Sequence, residues 1–149
     1  MLTRKELALV LGTAIVTAGI VVLAQPPQPI IGSSVFDWNK LEVRQTKSGE
    51  RRQVFQAPTA TLDELECHVT TLNKGEVAHV PHQHPEEEII VVKEGTIEVV
   101  QGGVTNRVGP GSVIFHASNI MHGMRNAGEG VASYHVFKWI SPGLKKTAK

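Results

Sequence analysis

Pro81-His82-Gln83-His84-Pro85-Glu86-Glu87-Glu88, running on into Ile89-Ile90-Val91-Val92-Lys93-Glu94-Gly95, is the stretch on which the reading of this chain turns. His82, His84 and Glu88 are separated by even numbers of residues, so in extended backbone their side chains share one face. Pro81 and Pro85 bracket the histidines and lack the N–H that a ladder needs, which predicts a bend between His84 and Glu88. Two imidazoles and a carboxylate on one inward face supply three corners of a transition-metal site. A fourth ligand has to come from elsewhere in the chain, and His122 is the best placed by sequence. Glu86 has the parity of Glu88 and would replace it if the strand bulged. Glu87 falls on the other, solvated side.

Outward from this stretch the pattern is one of short strands. Leu41 to Thr46 and Arg51 to Gln56 flank Lys47-Ser48-Gly49-Glu50 and read as a hairpin. Leu65, Cys67, Val69 and Thr71 alternate with Glu64, Glu66, His68 and Thr70 before a turn at Asn73-Lys74-Gly75. Further strands are expected over Glu88 to Lys93, Thr96 to Gln101, Val104 to Val108, Ser112 to His116, Met121 to Asn126 and Val131 to Ile140. Glycines at 95, 102, 103, 109, 111, 128 and 130 punctuate them. About nine to eleven strands at this spacing, with no long amphipathic helix after residue 25, predict an all-β sandwich or barrel.

Composition sets the outer limits. The 149 residues suit one domain of ordinary size. Past residue 24 the chain has thirteen basic and thirteen acidic groups, so it has no electrostatic reason to hold nucleic acid or an anionic membrane. One cysteine, Cys67, excludes an intramolecular disulfide and a multi-cysteine zinc module. Arg4 and Lys5 precede the uncharged run Leu7 to Ala24, the form of a secretory signal, and Val22-Leu23-Ala24 suits cleavage before Gln25. Left uncut, the same run is long enough to anchor the chain in a bilayer. Either way the expectation is an exported domain, periplasmic or extracellular, touching membrane only through residues 1–24. Residues 25–34 then form a Pro-rich spacer, 35–141 the domain and 142–149 a basic tail.

The spacing of two segments resembles the signature motifs of the cupin superfamily. The first family motif runs Gly, five residues, His-x-His, three or four residues, Glu, six residues, Gly. His82-Gln83-His84, Glu88 and Gly95 match it, while Gly75 lies one residue too far upstream. The second runs Gly, five residues, Pro-x-Gly-x-x-His-x-x-x-Asn. Gly111, His122 and Asn126 match, with Ala117 in place of Pro and Asn119 in place of Gly. Asn tolerates a left-handed backbone, which makes the second replacement mild. The resemblance spans roughly residues 62–140.

That resemblance implies a cupin jelly-roll barrel with His82, His84, Glu88 and His122 as ligands of a divalent transition metal. Three imidazoles and one carboxylate leave about two positions open on an octahedral ion, which suits Fe(II), Mn(II), Ni(II) or Co(II), with Zn(II) at lower coordination. Cupins include dioxygenases, isomerases, decarboxylases and storage proteins, so fold does not settle function. The leading expectation is an exported metalloenzyme acting on a small oxygen-rich molecule, dioxygenase-type oxidation first. The competitor is a barrel that binds a small ligand, or stores metal, without turnover. His116, at a strand end near the second motif, is the candidate proton carrier, with His79 behind it. Cys67 reads as a packed residue and His135 as packed or partly exposed; Tyr134, Arg125 and Gln101 are of a type to touch a ligand, but surface roles are favoured for them. Cupins often pair, so a homodimer is within the expectation.

Overall fold

The computed structural model describes residues 28–144. The expected signal or anchor over residues 1–24 and residues 145–149 of the expected tail lie outside them. Among the described residues are nine strands and one short 3-10 turn, η1 (Trp38–Lys40). The strands are β1 (Val43–Thr46), β2 (Gly49–Ala57), β3 (Glu64–Leu72), β4 (Glu87–Glu94), β5 (Ile97–Gln101), β6 (Val104–Val108), β7 (Val113–His116), β8 (His122–Asn126) and β9 (Ala132–Ile140). They form a six-stranded sheet in the order β1-β2-β3-β9-β4-β7 and a three-stranded sheet in the order β6-β5-β8. All pairings between the strands are antiparallel. Non-consecutive neighbours such as β3-β9-β4 mark the crossed connections of a jelly roll.

The core lies between the sheets. Leu72, Ile90, Val92, Ile114, Ala132, Tyr134 and Val136 come from the large sheet, and Ile97, Val99 and Met124 from the small one. Each large apolar side chain so buried contributes about 1.5–3 kcal/mol, so this layer closes the barrel through its own packing. Tyr134 is 1% exposed, which corrects its expected place at the surface. Its strand is buried on the cavity side, and its phenol faces inward.

The large sheet is covered on its back as well. Phe55, Cys67 and Phe137 share one register row there, and the Phe36 ring lies 5.2 Å from that of Phe55. Trp38, on η1, stacks under Arg52 and Lys93. Burial pushes the Cys67 thiol up to about 11, as suits a packed, unreactive residue.

Turn chemistry agrees with the sequence where it matters most for the site. Gly95 has φ +80°, and a Cβ there would sit 2.5 Å from the Val131 carbonyl oxygen. Asn119 takes φ 59°, the left-handed backbone that its replacement of glycine requires.

Candidate metal centre

The two motifs meet backbone to backbone. His82 and His122 exchange N–H···O bonds of 3.0 and 2.9 Å, and the Asn119 amide donates to the His84 carbonyl at 2.8 Å. The His82–His84 loop is thereby stitched to the edge strand of the small sheet. Glu88 and His116 are cross-strand partners on β4 and β7 of the large sheet. The candidate ligands are therefore drawn together from both sheets at one end of the barrel.

Five side chains converge there. Donor atoms of His82, His84 and His122 lie within 4.8 Å of one another, as do those of Glu88, His116 and His122. Glu88 Oε1 is 3.6 Å from His122 Nε2, and Oε2 is 3.7 Å from His84 Nε2. These separations exceed hydrogen-bond length, so the groups face one another without satisfying one another. His84 Nδ1 lies 2.9 Å from the Glu86 carbonyl oxygen and His122 Nδ1 2.8 Å from that of Ile120. Donation from each Nδ1–H would fix the tautomer and leave Nε2 with a lone pair aimed into the cluster.

Orphaned nitrogens show whether this set fits a cation. Among the described residues, buried His82 Nδ1, His116 Nδ1 and Nε2, and His122 Nε2 have no hydrogen-bond partner. Unpaired buried polar atoms cost about 1–3 kcal/mol each, and a divalent ion taken up by lone pairs would relieve that cost. Burial, with His122 alongside, holds the His116 pKa down to about 4. Burial and the neighbouring His79 also lower that of His82. Neutral imidazoles are the form that binds a metal. The donor set fits.

His82, His84, Glu88 and His122 are brought together as their spacing suggests, and Glu88 rather than Glu86 faces the cluster. His79 is exposed, its ring edge-on to His82 at 4.2 Å. His116 stands closer in than its expected role required. It is fully buried, stacked on His122, and lies behind the cavity wall rather than on it.

The cluster opens on a cavity of about 420 Å³ lined by His79, His82, His84 and Glu88 on one side and by Arg51, Glu66, His68 and Lys138 among others. That volume suits a small molecule. The charged far side was missed in sequence, because the alternation in Glu64 to Thr71 does not tell which parity faces inward when both are buried. Asn126 proves to be a structural knot. Its side-chain amide donates to the carbonyls of Leu72, Asn73 and Gly130 at 3.1, 3.1 and 2.7 Å and accepts from Gly128 N at 2.9 Å.

A jelly roll whose mouth gathers histidines and a glutamate from two facing motifs belongs to the class of small β-barrels built around an imidazole–carboxylate centre. The Cupin domain family model matches residues 68–138, and the chain belongs to the cupin superfamily. Similar solved structures include KdgF from Halomonas sp., 23% identical with a TM-score of 0.61, covering 72% of this chain and 94% of that one. An RmlC-like cupin from Shewanella frigidimarina is 21% identical with a TM-score of 0.59, covering 76% and 94%. The polyketide cyclase RemF from Streptomyces resistomycificus is 20% identical with a TM-score of 0.61, covering 74% and 82%. At such identities the likeness is one of fold. A comparison with curated proteins returns no match.

Proposed function

We propose that this cupin is an exported metal-dependent enzyme acting on a small oxygen-rich molecule, with dioxygenase-type oxidation as the leading reaction. The observation that carries the reading is the cluster of imidazoles, several with partnerless buried nitrogens, and one carboxylate at the end of a cavity of about 420 Å³. In this reading His82, His84, Glu88 and His122 hold a divalent ion, which when bound supplies Lewis acidity and, for a redox-active metal, oxygen activation. Glu88 contributes the one negative charge, so the loaded centre keeps a net +1 and draws an anionic oxygen of the substrate. His116 Nε2 lies 3.9 Å from Glu88 Oε1, beyond hydrogen-bond reach, and the ring is buried off the cavity, which leaves it behind the ligand set and out of contact with a bound molecule. The apolar floor formed by Met124, Tyr134 and Val136 limits water beneath the bound molecule.

Elemental analysis of the purified chain identifies the metal. Protein loaded with Fe(II), Mn(II), Ni(II), Co(II) or Zn(II) is then incubated with dicarbonyl, hydroxy-acid and catechol compounds under air and under nitrogen, with products read by mass spectrometry. Oxygen-dependent consumption of one compound is the expected result. Binding without product under either gas, for every metal, replaces the enzyme with a ligand-binding barrel. Product formed equally well by a metal-free His82→Ala/His84→Ala variant removes the metal from the mechanism. Export is tested separately by fusing residues 1–40 to a reporter active only outside the cytoplasm.

A further inference from the structure

The wall opposite the imidazoles carries a second group of charges that the metal centre does not use. Glu66, on β3, is only 4% exposed, yet its carboxylate meets three donors. Arg51 Nη2 lies at 2.5 Å, His68 Nδ1 at 3.0 Å and Lys138 Nζ at 3.3 Å. One cation would offset one buried carboxylate. Here two do so, with an imidazole besides, and the group is left with an excess positive charge even when His68 is counted neutral. Both cations stay partly open, with side chains 40% and 31% exposed, and both line the cavity.

Strand register ties this group to the centre. Lys138 on β9 is the Cα partner of Glu66 on one side and of Glu88 on the other. Since neighbouring strands run about 4.8 Å apart, Glu66 and Glu88 stand roughly 10 Å from each other at the backbone. The row through Glu66, Lys138, Glu88 and His116 is polar from end to end. The next row inward on β9, β4 and β7 is Val136, Ile90 and Ile114. On those three strands the polar groups stop at the mouth, whereas on β2 and β3 the polar face continues inward through His68, opposite Val136, and through Thr70 and Arg51, so the two charged patches face each other across the width of a short molecule.

We infer that Arg51, Lys138 and His68, held in place by Glu66, form a carboxylate-binding subsite facing the imidazole cluster. The substrate is then a short molecule with a carboxylate at one end and an oxygen donor at the other; the second half of that statement rests on the metal reading above. A single excess charge matches a monoanionic carboxylate; Arg51 Nη2 is already taken by Glu66 and by Gln53 Oε1 at 3.0 Å, so the ligand's oxygens would be met by the other guanidinium N–H groups and by the Lys138 ammonium. A phosphate dianion would face Glu66 with its charge only half compensated.

Succinate and its neutral diamide, titrated calorimetrically into the full chain, test this. The protein is used first stripped of metal by a chelator and then loaded with Co(II). Succinate should bind the stripped protein, and the diamide should bind at least about tenfold more weakly. Arg51→Gln and Lys138→Gln should each weaken succinate by about tenfold while cobalt uptake is retained. Should Arg51→Gln fail to fold, Lys138→Gln and the diamide comparison decide the matter. Succinate affinity unchanged in the folded variants, or equal binding of the diamide, overturns the subsite and leaves the metal reading standing. Arg51-dependent succinate binding in a protein that takes up no cobalt does the reverse: it upholds the subsite and ends the metal reading.

Discussion

The imidazole rings of His116 and His122 lie face to face, their centroids 4.0 Å apart and their planes 14° from parallel. Neither ring nitrogen of His116 has a hydrogen-bond partner, and the residue is wholly buried. Burial, with His122 alongside, holds the His116 pKa down to about 4, so near neutral pH this ring is uncharged.

His116→Phe keeps a stacked ring and deletes two unsatisfied nitrogens. Its thermal stability should equal or exceed that of the wild type, because replacing an unpaired buried polar group by an apolar one of similar shape is neutral to favourable. Metal retention, followed by dialysis and elemental analysis, should fall. A variant less stable by more than about 2 kcal/mol would show that His116 is a hydrogen-bonded structural residue instead.

His82→Ala with His84→Ala should yield a folded barrel with essentially no transition metal. The ten-residue apolar core needs no ion to close. Circular dichroism would report an unchanged β-signature and elemental analysis an empty protein. Undiminished metal content in this variant would remove both residues from the ligand set.

Asn126→Ala should cost about 2–4 kcal/mol, since it strips partners from the Leu72, Asn73 and Gly130 carbonyls and from the Gly128 amide at a fully buried position. Asn126→Asp should be at least as harmful, because a carboxylate would face three carbonyl oxygens. Chemical denaturation gives the loss directly. If both variants keep wild-type stability, the residue is not the knot that its bonds describe.

Glu66 makes stability acid-sensitive. The hydrogen bond from His68, reinforced by Lys138, outweighs burial and takes its carboxyl from an ordinary 4.5 down to about 2. A depressed folded-state value means a contribution present in full above about pH 4.5 and lost as pH falls towards 2. Glu66→Gln should therefore be less stable than wild type at pH 7, by about 1–3 kcal/mol after allowance for the open sides of Arg51 and Lys138. The difference should shrink as pH approaches 2, and melting curves at several pH values follow it. A constant gap across that range would assign the loss to packing.

Much of this architecture is legible in the sequence, for reasons visible at particular residues. Turn glycines such as Gly95 and Gly111 bound the strands, so β4 through β9 begin and end within a residue or two of their expected limits. The grouping of His82, His84 and Glu88 followed from even spacing, and that of His122 from the second motif. Strand order was not legible, because pairing β9 between β3 and β4 depends on closure of the whole sheet. Nor was the inward side of β3. Cys67 and Val69 look like core and are buried, but Phe36 and Phe55 mark a covered back face. Glu66, His68 and Thr70 take the cavity. Tyr134 was misplaced for the same reason. The strand-end position of His116 marks it in sequence only as a titratable group near a turn, and its stacking on His122 depends on two sheets meeting.

The backbone bonds between His82 and His122, and from Asn119 to His84, form a seam between a loop and the edge of the small sheet, whereas Glu88 and His116 belong to the large one. An ion gripped by His82, His84 and His122 on one side and by Glu88 on the other would act as a clasp across that seam. Its affinity would then be spent against barrel-mouth breathing, so the amides of His82, Asn119 and His122 should exchange with solvent more slowly by the factor by which metal suppresses opening. Release of the ion would likewise be governed by how often the seam parts, and departure would be slower than three or four exposed ligands alone could make it.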